Sequence, residues 1–475
     1  MLLHPEYQQK EIGYFPLGLG YIASACRAAE IDVICHDLNV SPLALGALVE
    51  AVKNSRCAVV GISGFLMQLQ EAMRLATGIK QHLSDVVVML GGVMTFGCEE
   101  YILRNSLTDV VFLGEAEEVL PNIVKSVANG DGYEQYKEIA YIKNGEFITG
   151  HHYATINDLD ALKLPAYELF PMEQYIKNNY HSTPGKRTID MICSRGCPYH
   201  CEYCINSKRE NKVRYRSTDV IVSEIQFLKH KYNVTDFHFC DENFTTNKKR
   251  GLEICATLTP LGISWVTSCR ADSLDDELIV AMKGAGCRCL LIGFESASDT
   301  ILRAMNKKAT TAVYSDAIAL LRKNAMPFQA NFMIGMPDET PETIAETVRF
   351  CIVNSLIYGP SYVTPFPGTK LYDTILFSIH DQASYMKGLA SLNFSKRPYI
   401  NLTKMPTSAL MKHRDNAVIS VVASMLKRKF PYIPQFIILA ACVTYLRLAE
   451  IENHSVAKIT KYIIGRLRVL LSGNS

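Results

Sequence analysis

Net charge is nearly absent. The chain has 49 Lys and Arg against 47 Asp and Glu, a formal +2 at pH 7, so no global field draws it to nucleic acid or to acidic partners. The opening residues MLLHPEYQQKEIGYFP lack the basic start and the apolar run of about 7–15 residues that a secretory signal needs. A cytoplasmic protein is expected. The most apolar stretch, Ile433 to Leu446, is interrupted by Pro434 and Gln435 and falls short of the ~20 residues that cross a bilayer, so it is read as a buried helix. No internal repeat or low-complexity tract stands out. Cysteine is not scarce, but the fifteen residues are scattered over 475 positions, without the density of a small disulfide-bonded scaffold. Reduced thiols are expected. A chain of this length needs two or three cores, and its 48% hydrophobic and 20% charged residues suit ordinary globular domains.

The first half alternates apolar runs with helix-like segments: LGLGYIASACRAA, IDVICHDLN, CAVVGISG, VVVMLGG and DVVFLGE. This is the rhythm of βαβ units on a parallel sheet. Gly61, Gly64, Gly91, Gly92 and Gly114 follow the apolar runs, where a doubly wound sheet leaves its ligand crevice. AYIKNGEFITG reads as a hairpin turning at Asn144-Gly145, and LDALKLPAYELFP reads as a linker. The alternation resumes with TIDMIC, TDFHFCDENF, SWVTSC, CLLIGFES, FQANFMIG and SYVTPF, six βα steps of an incomplete barrel. Beyond about residue 375 the periodicity is helical. The α/β fold class therefore divides into a Rossmann-like domain at 1–138, a linker at 139–185, a partial (β/α)6 barrel at 186–375 and a helical region at 376–475. The last segment sets Ile459, Ile463, Ile464, Leu467, Leu470 and Leu471 against Lys458, Lys461, Arg466 and Arg468. Packing on the barrel is favoured there over peripheral membrane contact.

The segment CSRGCPYHCEYCINSKR holds Cys197, Cys201 and Cys204 in a C-x3-C-x2-C arrangement, in a loop kept non-helical by Gly196 and Pro198. Soft thiolates select iron–sulfur clusters or zinc. A [4Fe-4S] cube ordinarily uses four cysteines, so three leave one iron open for a ligand derived from a substrate. S-adenosylmethionine (SAM) can chelate such an iron through its amino and carboxylate groups, and one electron then breaks its sulfonium bond to give a 5'-deoxyadenosyl radical. Cys193, four residues before Cys197, is a rival fourth ligand, but a strand carrying Asp190 to Cys193 makes it a core residue. A zinc knuckle with His200, next to the basic residues Lys208, Arg209, Lys212, Arg214 and Arg216, is the other reading, and it lacks a second ligand pair.

CPYHCEYC, RYRS, FCDENF, SCRAD, GFES, NFMIGMPDET and PFPGT occur in an order that resembles the radical SAM enzymes, and within them the group with an N-terminal cobalamin-binding domain. The resemblance covers most of residues 10–375. It implies a [4Fe-4S] cluster on Cys197, Cys201 and Cys204, and SAM contacts from Tyr203, Asp241, Glu242, Arg270, Glu295, Ser296 and Gly335. Each has a local alternative: Asp241 and Glu242 as helix-start acids, Arg270 as an ion pair with Asp272 or Glu295, Gly335 as the end of a plain strand before a helix start at Thr340-Pro341-Glu342. The motifs PLGLGYIAS, GISG, MLGGVMTFG and FLGEAEEVLP resemble the cobalamin domain and imply contacts from Gly18, Ser63, Gly91, Gly92, Gly114 and Glu115. The D-x-H-x-x-G cobalt-ligating loop is absent, because His36-Asp37 stands in the wrong order; the group commonly lacks that histidine. The short start at MLLHPE leaves the edge of this pocket open.

The resemblance implies radical methylation of an unactivated carbon, with a small-molecule or lipid-like substrate and an external one-electron reductant such as flavodoxin or ferredoxin. No catalytic side chain is identified from sequence. An oxidative cyclase without methyl transfer uses the same parts, as in anaerobic tetrapyrrole ring formation. The tRNA methylthiotransferases fit less well, since Cys26, Cys35, Cys57 and Cys98 do not form their second cluster motif. A cluster-bearing electron-transfer module is the reading from another class.

Overall fold

The computed structural model describes residues 1–7, 14–208, 212–376, 379, 381–389, 396–429, 431–434 and 438. The first sheet contains β1 (Leu2–His4), β2 (Cys35–Asp37), β3 (Val59–Ser63), β4 (Val87–Gly91), β5 (Val110–Phe112), β6 (Ile139–Lys143) and β7 (Glu146–Thr149). Its spatial order is β2-β1-β3-β4-β5-β6-β7. The first five strands are parallel, and β6 and β7 add antiparallel edges. The short start MLLH is thus an inner strand: Leu3 is fully buried between two neighbours. The hairpin turns at Asn144 and Gly145, both with positive φ (52° and 82°), as a tight two-residue turn requires. It extends the first sheet to Thr149 instead of crossing to the barrel, because β6 pairs with Val111 and Phe112 of β5.

The second sheet holds β8 (Thr188–Met191), β11 (Asp236–Phe239), β12 (Ser264–Cys269), β13 (Cys287–Glu295), β14 (Phe328–Ile334) and β15 (Ser361–Tyr362), all parallel in the order β15-β14-β13-β12-β11-β8. Between β8 and β11, β9 (Ser194–Arg195) and β10 (Arg214–Tyr215) form a small antiparallel ribbon at the two ends of the cysteine loop. Each of the six expected barrel runs forms one strand. Their helices start where short polar side chains cap free N–H groups: Ser217, Asn247, Asp275, Thr310 and Thr340 each accept from the backbone three residues on. The single tryptophan, Trp265 on β12, is fully buried and donates to the Ala285 carbonyl at 2.8 Å.

One core joins the barrel to the helix Leu17–Ala28 through Leu19 and Ala23, and to the helix Thr407–Lys429 through Val418, Val421 and Leu426. A second core fills one face of the first sheet and takes in Tyr372, Ile375, Tyr385 and Met386 from beyond the barrel. Here Gly97 (φ +73°) meets Gly368 (φ +80°): a Cβ on Gly97 would lie 2.4 Å from the Gly368 nitrogen. Only glycine permits that approach. Among the described residues no helix is long and apolar enough to cross a membrane. Most of Ile433 to Leu446, and the whole amphipathic segment 458–471, lie outside the described residues.

Candidate functional site

The cysteine loop leaves β8 and is tied down at its base by the acids that follow β11. Asp241 accepts hydrogen bonds from the Cys193 N–H (2.7 Å) and the Ser194 hydroxyl (2.5 Å), while Glu242 accepts from the Gly196 N–H at 3.1 Å. Burial raises the Asp241 carboxyl to about 6, against the pull of those bonds. Both oxygens of Asp241 are therefore engaged by the loop, which makes it a loop anchor in this structure. β8 ends at Met191, two residues short of Cys193 where the strand was expected to reach, yet Cys193 is fully buried in the barrel core.

None of the three motif cysteines is in a disulfide. Burial raises the Cys197 thiol and pushes Cys204 up to about 11, and each thiol also feels Cys201. Loss of the thiol protons is thus left to a bound cation. The only group of three or more Cys, His, Asp or Glu donors drawn within 4.8 Å among the described residues lies elsewhere. His200 holds its ring nitrogen 3.3 Å from the Ser207 carbonyl. Of the basic residues expected for a zinc knuckle, Arg214 and Arg216 pair with Glu115 and Glu224, and Lys208 with Asp373; Arg209 lies outside the described residues.

Arg270 takes up its Asp272 alternative, with two bonds at 2.9 and 2.7 Å. Its remaining nitrogen lies 3.7 Å from the Cys201 sulfur, and its guanidinium stacks 3.7 Å from the Tyr199 ring centre. The Lys307 carbonyl also accepts from it. Lys307, which the sequence reading missed, gathers the neighbouring residues: its ammonium is 3.0 Å from Glu295 and 3.4 Å from the Tyr203 hydroxyl. Glu295 stands at φ +65° at a bulge in the β13–β14 pairing. The charge ending that apolar strand thus finds a lysine, at 5% exposure. Only its place after a short helix, in the run MNKK, marks Lys307 in the sequence. Ser296 is buried against Thr347 at 3.2 Å. The Gly335 N–H donates to Glu339 at 2.9 Å; burial raises this carboxyl to about 7.

Gly18, Ser63, Gly91, Gly92, Gly114 and Glu115 all line one cavity of about 640 Å³. It opens from the C-terminal ends of β3, β4 and β5 beside Leu2 of β1, the switch point of a doubly wound sheet, and reaches Ser194, Gly196, Asn206 and Glu242 of the cysteine loop and its support. The space in front of Gly18 is free: an added Cβ would meet no protein atom within 4 Å. At Gly114 (φ +92°) a Cβ would lie 2.3 Å from the Ala154 carbonyl oxygen, so that glycine also serves a backbone crossing. Burial alone would raise Glu115, but Arg214 (2.6 and 2.8 Å), Arg195 and the Ile156 N–H hold its carboxyl below the usual range. Arg195 also binds Glu117 at 2.7 Å and lies over Tyr21. Glu115 therefore couples the first sheet to both strands of the loop ribbon. Of the residues implied for SAM, only Glu242 lines this cavity; Tyr203, Arg270 and Glu295 meet at Lys307.

A fold with a switch-point cavity facing a three-cysteine loop on a six-stranded parallel half-barrel agrees with the matches to known families. Residues 191–351 match the radical SAM superfamily and residues 13–124 match the B12 binding domain. The chain is 30% identical over 368 residues to the uncharacterized methyltransferase PH0819 of Pyrococcus horikoshii, covering 75% of this chain and 78% of that one. It is 27% identical to the anaerobic magnesium-protoporphyrin IX monomethyl ester cyclase of Rubrivivax gelatinosus, over 79% and 69% of the two chains. The solved structure of the radical S-adenosylmethionine methyltransferase TsrM from Kitasatospora setae, with cobalamin and a [4Fe-4S] cluster bound, shares the fold at a TM-score of 0.65 and 16% identity, covering 79% and 77%. The chain belongs to the radical SAM enzymes that carry a B12-binding domain.

Proposed function

We propose that this enzyme methylates an unactivated carbon of a small-molecule or lipid-like substrate, using SAM, a [4Fe-4S] cluster and cobalamin. The observation that carries the reading is the single cavity bounded on one side by the switch-point glycines and on the other by the cysteine loop. In this reading Cys197, Cys201 and Cys204 hold the cluster, Gly18, Ser63, Gly91 and Gly92 face the corrin, and Tyr203, Glu242, Arg270 and Glu295 serve SAM. When bound, these groups supply the electron that splits SAM and the methyl group carried on cobalt.

The chain's own residues fix and insulate the chemistry. Asp241 and Glu242 clamp the loop base. Arg270 sets its guanidinium 3.7 Å from the Cys201 sulfur. Lys307 neutralises Glu295 and leaves Tyr203 oriented beside them. Leu17, Met89, Phe112 and Leu120 give the cavity an apolar wall that excludes water from a reactive radical. An external one-electron donor such as flavodoxin or ferredoxin completes the cycle.

The test is product stoichiometry under anaerobic reduction with deuteromethyl-SAM and a metabolite extract. Methylation gives equal 5'-deoxyadenosine and S-adenosylhomocysteine and a deuteromethylated product. The relative named as a cyclase favours a second reading, which gives 5'-deoxyadenosine with little S-adenosylhomocysteine. Absence of both products overturns the enzyme assignment.

A further inference from the structure

Inside the barrel, toward the C-terminal ends of β8 and β11 and beside the base of the cysteine loop, three donors of different chemistry converge. Asp190 on β8 sits directly beside His238 on β11 in the parallel register. Cys240 follows two residues after His238, so the two share a face. The Asp190 Oδ1 lies 2.9 Å from the His238 Nδ1, and the Cys240 Sγ lies 3.3 Å from that same nitrogen. One donor atom from each residue falls within 4.8 Å of the others. Asp190 is 1% and His238 8% exposed, so these are not solvated surface groups.

We propose that Asp190, His238 and Cys240 form a second metal site, for a divalent ion of the zinc class. A ring nitrogen carries at most one proton, yet an oxygen and a sulfur both approach Nδ1. Tetrahedral zinc with bonds of about 2.0–2.3 Å separates its ligands by roughly 3.3–3.6 Å; the 2.9 Å and 3.3 Å separations from Nδ1 come within a few tenths of an ångström of that range, and all three donors lie within 4.8 Å of one another. The carboxylate and a thiolate together neutralise a divalent charge, which leaves no net charge in the buried site.

The carboxylate is already oriented. Its second oxygen accepts from the Phe15 N–H at 3.1 Å and the Asn179 amide at 3.2 Å, the outer support that metal ligands need. The His181 ring packs on His238 with centroids 3.9 Å apart and limits its rotation. Cys240 lines the large cavity, which gives the ion an entry path. Three protein donors leave one position for water or for a polar group of the substrate, the arrangement of an open zinc site.

The test uses the full-length chain with its iron–sulfur cluster reconstituted anaerobically and then equilibrated with zinc. Metal content by mass spectrometry and zinc-edge X-ray absorption are read together, since the cluster's iron does not contribute to the zinc edge. One zinc per chain is expected, bound by a single sulfur with nitrogen and oxygen donors. Cys240→Ser and His238→Gln lose it while iron content is unchanged. Cys240→His retains the zinc with a sulfur-free edge, which separates a lost ligand from a lost fold. Full iron with no zinc in the parent chain, equal zinc in parent and variants, or a zinc edge with several sulfurs, which places the ion in the cysteine loop, overturns the proposal. Cys240 lines the cavity of the methylation reading, but these zinc readouts do not decide that reading, which is tested separately by product stoichiometry.

Discussion

Glu115 and Arg214 are 99 positions apart and share two hydrogen bonds. The resemblance implied a cobalamin contact for this glutamate, and the cavity does touch it, but the structure shows its carboxylate gripping the far strand of the cysteine-loop ribbon. Replacing Arg214, 8% exposed in its side chain, with Ala strands a carboxylate and the Ile156 carbonyl. The loss is expected at about 2–4 kcal/mol, seen as a lower denaturant midpoint of the first unfolding transition. Arg214→Lys restores only part of it, because an ammonium cannot bond both oxygens as the planar fork does. An unchanged midpoint in Arg214→Ala would show that water replaces the guanidinium at no cost. For the cluster, Cys197→Ala, Cys201→Ala and Cys204→Ala should each abolish iron binding and reductive SAM cleavage together. Cys193→Ala should keep both, since that thiol is part of the core. Iron analysis beside 5'-deoxyadenosine release decides between these outcomes.

At the scale of elements, the barrel strands were legible because each combines an apolar run with a polar N-cap for the helix that follows, so local signals agree. The Asn144-Gly145 turn was legible for the same reason. The first strand was not, since three residues carry no periodicity and Leu3 acquires its burial from β2 and β3. Nor was the role of Lys307, whose three partners come from β13, the cysteine loop and the turn after β12. Another device beyond sequence is the turn from β14 into the helix Pro341–Val353, where Glu339 accepts from the Gly335 N–H and from the Thr343 hydroxyl. Burial raises this carboxyl from 4.5 to about 7. Its contribution to stability is complete below pH 4.5 and is lost as the pH rises through about 7, because the fold prefers the protonated form. Glu339→Gln does not titrate, so the parent should lose about 2–3 kcal/mol relative to it between about pH 5 and pH 8. Paired urea titrations at each pH read this gap, and a constant gap would show that the carboxyl titrates normally.

For the whole molecule, the problem is to hold a sheet-end pocket against a radical-generating loop while both belong to separate cores. Three ties cross that gap: Glu115 with Arg214 and Arg195, the helix Leu17–Ala28 packed into the barrel core, and the Gly97–Gly368 contact. The third belongs to PFPGT, a motif whose glycine the sequence alone could not explain, since its reason is a backbone from the other domain. A methyl group on Gly97 would sit 2.4 Å from the Gly368 nitrogen at φ +73°, against backbone that has no side chain to move. Gly97→Ala must therefore push the two loops apart, at a cost of about 1–3 kcal/mol. The cysteine loop is held at its base by Asp241, Glu242 and Arg270, and its Glu202 carbonyl and Ser207 hydroxyl also accept from the Leu371 and Lys370 N–H groups beside Gly368, so Gly368 stays with the barrel and the Gly97 loop of the first domain is the side expected to give way. In the methylation reading, SAM cleavage should then persist while transfer falters: 5'-deoxyadenosine continues to form and S-adenosylhomocysteine falls at least several-fold, as misplacement by about 1 Å typically costs far more than binding does. Both products falling in parallel would instead mean that this contact supports the whole fold and has no separate part in aligning the two halves.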